Sequence, residues 1–213
     1  MKTTHEGKRS AGGGRRQVRP ANPRGKAPTF TELELDDVFD SFNHRYDKRD
    51  RVIFMFSFFL GLRAKELAGL KLGDVLHPSG QVKAGVRLRA ETTKGLKVRE
   101  TFLEKKELLE ALDDFLAERK KQGRFDMDQP LFMSQKGGHF SPNTMQKLFA
   151  RLFLKAGFRG SSHSGRRTFA TRLNAMGVDL RSIQVLMGHA FVSTTQGYVE
   201  TSPERLRKFI KLL

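Results

Sequence analysis

Four side chains in the last quarter of the sequence could act together on one bond. His163 and Arg166 are three residues apart, so on a helix they share a face. His189 follows the turn-like Met187-Gly188 pair, and Tyr198 comes nine residues later as one of two tyrosines in the chain, the other being Tyr46. Arginine and histidine are donors suited to a non-bridging phosphate oxygen. Tyrosine can serve as a covalent nucleophile, but a free phenol titrates near pH ~10 and is weak at neutral pH. Nearby cations lower that pKa and neutralise charge building on phosphorus. The set reads as tyrosyl attack on a phosphodiester; the bland alternative for His163 and Arg166 is a capped, solvated helix face.

The rest of the chain agrees with a polyanionic partner. Among 213 residues, 40 are Lys or Arg and 23 are Asp or Glu, a net charge of +17. There is no cysteine, hence no disulfide and no thiolate metal site. The most apolar run, Val52 to Leu60, is too short to cross a bilayer and reads as a buried helix. The N-terminus has no apolar core of the signal-peptide kind, so the expected location is the cytoplasm.

Residues 1–28 carry eight Lys or Arg, among them Arg15, Arg16, Arg19, Arg24 and Lys26, against the single acid Glu6. With five glycines, three prolines and few apolar side chains, the segment is expected to be a disordered basic arm, the plain alternative being a solubilising tail. Folding is expected from Thr29 to the end. Thr31 to Glu34 matches a capping box, with Leu33, Val38, Phe39 and Phe42 as the apolar face behind it. A helix from Asp47 to Leu60, apolar nearly all round, belongs in the middle of the domain. Arg63 stands at its end, and a charge there needs a partner or a task; pairing with Glu66 is the plain one.

Val82 to Ala90 and Val98 to Leu103 read as a β-hairpin with Lys94 near its tip. An amphipathic helix follows over Glu104 to Gln122, and Gln129 to Met133 reads as a third strand beside the hairpin. Ser141-Pro142 opens a helix that ends at Gly157. The helix bearing His163 and Arg166 stops near Gly177, and a short one runs from Asp179 to Met187. Beyond Tyr198, Leu206, Phe209, Ile210 and Leu213 form an apolar stripe on a helix too short to stand alone in water.

The ordered set His163-Ser-Gly-Arg166-Arg-Thr-Phe-Ala-Thr171, Leu186-Met-Gly-His189 and Thr194-Thr-Gln-Gly-Tyr198 resembles the C-terminal signature of the tyrosine recombinase (phage integrase) family. Gly61-Leu-Arg63-Ala-Lys-Glu66-Leu resembles that family's first arginine box, and Thr93-Lys94-Gly-Leu-Lys97-Val-Arg99 its hairpin lysine motif. The resemblance covers about residues 30–213. It implies a mainly α (α+β) fold, helical with a small antiparallel sheet, and a site-specific recombinase that breaks and rejoins DNA through a 3′-phosphotyrosyl link. It implies that Arg63, Arg166 and His189 bind the phosphate and Tyr198 attacks. His163 accepts the tyrosyl proton or bonds the phosphate, Lys94 protonates the leaving 5′ oxygen, Lys97 and Arg99 contact phosphates, and Glu66 orients Arg63. No cofactor or metal is implied.

The implied partners are double-stranded DNA and, through the last helix, further copies of the chain, as a tetramer on paired sites. The sequence departs from the family pattern at Arg167, where histidine is usual, and upstream, where 28 residues stand in place of a core-binding domain. That makes it similar to the small recombinases that include the fimbrial-switch invertases, or to a fragment or relic. A non-enzymatic DNA-binding regulator and a type IB topoisomerase-like nicking-closing enzyme are the alternatives.

Overall fold

The computed structural model describes residues 25–90, 98–123, 125–189 and 192–196, with Arg207, Ile210 and Lys211. The expected arm over 1–24, the hairpin tip over 91–97, Tyr198 and most of the last helix lie outside the described residues.

Helix α1 (Glu32–Asp40) starts as its capping box dictates. Thr31 Oγ1 accepts from the Glu34 amide at 3.3 Å, and the Glu34 carboxylate accepts from the Thr31 amide at 2.9 Å. Its inner face is Leu35, Val38 and Phe39, while Leu33 is 79% exposed. The expected face including Leu33 is therefore corrected: five residues separate it from Val38, which turns it well away from the stripe at 35, 38 and 39.

Helix α2 (Asp47–Leu60) is the central element. Phe54 and Phe56 are fully buried, and rings from four segments close round it: Phe54 stacks on Phe149 at 4.6 Å, and Phe30 stacks on Phe153 at 4.8 Å. Gly61 ends the helix at φ +63°, and a Cβ there would lie 2.6 Å from the Phe169 ring. The chain turns at once into α3 (Ala64–Gly69) and α4 (Leu72–Val75).

Strands β1 (Gly85–Leu88) and β2 (Arg99–Phe102) pair antiparallel, Gly85 opposite Phe102 and Leu88 opposite Arg99, so the expected hairpin stands with shorter arms. The third strand is not beside it. Leu72 N donates to Gln129 O and Leu131 N to Leu70 O, so residues 129–131 pair with the α3–α4 joint. Pro130, without an N–H, limits that pairing to a single bridge.

Helices α5 (Lys106–Lys121), α6 (Pro142–Lys155), α7 (Ser164–Ala175) and α8 (Leu180–Met187) follow the sequence expectation closely. A five-residue helix, α9 (Val192–Gln196), was not foreseen. The resulting architecture is the mostly helical one with a small antiparallel sheet.

Helix α7 joins two apolar clusters. On one side it lies against α2 so closely that a Cβ on Gly165 would fall 2.3 Å from Ser57 Oγ. On the other, Ala170 packs with Ile183 and Met187 of α8. The entering chain is fastened to the same helix. Ala27 O accepts from the Arg167 guanidinium at 2.8 Å, Phe30 N donates to Thr168 Oγ1 at 3.0 Å, and Arg172 pairs with Glu32. Ordered contacts thus begin before Thr29, where the sequence put the start of folding. Among the described residues no helix is long and apolar enough to cross a membrane.

Candidate active site

Three segments far apart in sequence meet where α2 ends. Arg63 caps α3, and its neighbour Glu66 closes the cap. Arg63 N donates to Glu66 Oε2 at 2.7 Å and the Arg63 guanidinium to Oε1 at 2.8 Å. The plain pairing expected for Arg63 is therefore present, yet its side chain remains 21% exposed while that of Glu66 is sealed. Glu66 is shared with Arg99 of β2, whose guanidinium lies 2.8 Å from Oε2. Burial is the largest influence on Glu66 and pushes its pKa up. The charge and hydrogen bond of Arg99, then Arg166, then the Arg63 amide outweigh it, so the carboxylate titrates below its ordinary range.

Arg166 sits in the first turn of α7 and is 1% exposed. Its guanidinium donates to Gly61 O and to Met187 O. Both carbonyls belong to helix C-termini, those of α2 and α8, where acceptors are left over and the helix dipole is negative. Two helix ends therefore aim Arg166.

His189 follows Gly188, the left-handed cap of α8 at φ +59°. Its amide donates to Gln184 O, its carbonyl accepts from Gln184 Nε2 at 2.9 Å, and its Nδ1 lies 2.9 Å from Thr195 Oγ1 on α9. Burial, then the charges of Arg166, Arg63 and Arg99, against Glu66, bring its pKa down to about 3. His163, the N-cap of α7, stands more open; lost hydration and then Arg166 and Arg63 lower its pKa too. Both rings are neutral at pH 7.

Arg63, Arg166, His189 and His163 thus form one electrostatic group. Lys94, Lys97, Tyr198, Arg15, Arg16, Arg19 and Arg24 lie outside the described residues, and Lys26 is exposed at the chain's entry. Arg99 corrects its expected role as a phosphate contact: it is buried, with its donors turned onto protein oxygens. Nothing in the strand's pattern marked this: the apolar Val98 and Phe102 are half exposed, while Arg99 and Thr101 share the inward face. Thr195 and Gln184 were missed. Thr195 lies within the quoted signature, but nothing in its residue type says that it meets a histidine six positions back.

His189 ties stability to pH. The unfolded chain takes up its proton near the ordinary 6.5 and the folded protein only near 3. The unfolded state therefore binds more protons between those values, and stability, fully present above about 6.5, is lost as pH falls toward 3, in all by a few kcal/mol. The melting temperature should drop across that window, and His189→Asn should flatten the drop. Parallel curves for the two proteins would show that His189 is not the group responsible.

The profile of the phage integrase family matches residues 29–205. Tyrosine recombinase XerA of Thermococcus onnurineus is 34% identical over 163 residues, 76% of this chain and 54% of that protein. Tyrosine recombinase XerC of Halalkalibacterium halodurans is 32% identical over 197 residues, 87% of this chain and 62% of that one. The chain thus spans a little over half the length of these relatives. The crystal structure of XerA recombinase superposes with a TM-score of 0.71 at 28% identity, covering 92% of this chain and 66% of that one. XerH site-specific recombinase, bound to palindromic difH substrate in a post-cleavage complex, gives 0.69 at 26% identity, covering 87% and 52%.

Proposed function

The chain belongs to the phage integrase family of tyrosine recombinases, and from that premise we propose that it is a site-specific DNA recombinase working through a 3′-phosphotyrosyl intermediate. The observation that carries the reading is the joint of Arg63, Arg166 and a neutral His189 around one buried carboxylate, with His163 one helical turn from Arg166.

In this reading Arg63 and Arg166 take the non-bridging oxygens of the scissile phosphate. The Thr195 hydroxyl donates to His189 Nδ1, which leaves Nε2–H as a further donor to phosphate. His163, neutral at pH 7, accepts the proton of Tyr198 as its oxygen bonds to phosphorus. The P–O5′ bond breaks, and Lys94 gives the leaving oxygen its proton. The phosphotyrosyl link retains the energy of the bond broken, so attack by the 5′ hydroxyl of a second strand reverses the step without a cofactor. Integration, excision or inversion differ only in how the two sites are arranged. Supporting this, XerH is a recombinase bound to its DNA substrate and has the same fold. Copies of the chain would assemble as a tetramer on paired sites through the segment after Tyr198, in the cytoplasm where the DNA lies.

The test is a nicked duplex carrying the inverted or direct repeats that flank the gene in its source DNA. Loss of the short strand beyond the nick should trap a covalent protein–DNA adduct that survives denaturing gels and disappears with protease. Absence of any adduct on all such repeats would reject the reading.

Residues 1–28, with a net charge of +7, are part of the proposed interface. If roughly four to six of their cations neutralise phosphates, a chain starting at Thr29 should show a log affinity–log salt slope shallower by about 3.5 to 5.5, alike on target and random duplex. A change below about one unit would reject a clamping role for the arm.

A further inference from the structure

Arg99 has a place in the site that neither a phosphate contact nor a surface strand residue would have. Its guanidinium makes four hydrogen bonds within the protein. Nε and one terminal nitrogen take the two oxygens of Glu66 at 3.3 and 2.8 Å; the same terminal nitrogen reaches Gly61 O at 3.4 Å, and the other donates to Leu186 O. These acceptors belong to α3, the end of α2 and the end of α8, so one side chain from the sheet spans all three. The route is tight: a Cβ on Gly188 would lie 2.5 Å from Arg99 Cδ, so the side chain crosses directly over the residue that precedes His189.

A buried ion pair is weak evidence for stability, since desolvation offsets most of its attraction. Holding Glu66 would require only a counter-charge. The planar fork of arginine does more, fixing direction as well as charge. Glu66 holds the Arg63 guanidinium, Gly61 O holds that of Arg166, and Leu186 lies three residues before His189.

We infer that Arg99 is a positioning residue for the active site, a strap from β2 that sets the placement of Arg63, Arg166 and His189 without touching DNA. The inference rests on the proposed recombinase reading, in which those three residues hold the scissile phosphate.

The full chain and its Arg99→Lys form decide it. Lysine keeps a positive charge beside Glu66 but cannot reach the carboxylate and the Leu186 carbonyl as a fork. On the nicked duplex above, Arg99→Lys should bind with parental affinity and an unchanged salt slope, melt as a folded protein, and form the adduct about a hundredfold more slowly, the cost of misplacing reacting groups by an ångström or so. A parental rate would reduce Arg99 to a counter-charge. A salt slope shallower by about 0.9 would make it a phosphate contact after all. A loss of rate no larger than the loss of folded protein, or a failure to fold, would make its role structural; each of these overturns the inference. If the parent forms no adduct, the recombinase reading fails, and histidine ring signals in NMR spectra of the DNA-free proteins then decide. They should shift for His189 in Arg99→Lys, and an unmoved signal refutes the strap.

Discussion

Tyr198→Phe is expected to abolish the covalent protein–DNA adduct while leaving DNA affinity and melting temperature unchanged. The substitution removes one oxygen, the one proposed to attack phosphorus, and retains the ring. The second tyrosine, Tyr46, precedes α2 and lies beneath the Arg49 guanidinium, 4.4 Å from its ring centre. Arg49 in turn is bound to Asp50 and Met133 O, none of which belongs to the Glu66 cluster. Denaturing gels of both proteins with the nicked duplex read the result directly. Adduct persisting in Tyr198→Phe would remove Tyr198 from the mechanism and leave Tyr46 to be tested by the same substitution.

Arg166→Lys should lower the rate of adduct formation by about 10² to 10³-fold, the range typical for losing one charge-stabilising donor in a transition state. The reason lies in the two carbonyls that aim it. A guanidinium donates to Gly61 O and Met187 O from two separate nitrogens; an ammonium gathers its three donors on one atom and cannot reproduce that spread. The variant should also be less stable, since leaving a buried acceptor unsatisfied costs about 1 to 3 kcal/mol. Single-turnover adduct rates and thermal melting separate the two effects. A parental rate in a destabilised protein would mean that Arg166 only ties α2 to α8.

The sequence made the helices legible because their ends are written in local chemistry: Thr31 with Glu34, Ser141 with Pro142, and glycines at 157, 177 and 188. Arg63, His163, Arg166 and His189 were legible because a rare combination recurs in a fixed order. What failed needed three dimensions. Leu33 was assigned to a face by apolarity when its angle round the helix excluded it. Residues 129–131 do form a bridge, but pattern alone could not say which neighbour they would pair with. Arg99 looked like the other cations of its motif, and only the fold shows it turned inward onto Glu66. Thr195 gains its role from α9 bending back to His189, a contact that no local rule encodes.

The fastening of the entering chain to α7 has a consequence for how the molecule opens. Phe30 is buried among Phe58, Phe153 and Phe158, and Ala27, Phe30 and Glu32 bind successive turns of the helix that carries Arg166. In the language of hydrogen exchange, residues 27–32 and α7 make one cooperative unit. Their amides become accessible together, in an opening that also exposes the aromatic core. Helix α9, five residues long, is joined to His189 through the buried Thr195, and a helix so short depends on such packing. The helix that carries Arg166 thus shares the stability of the aromatic core.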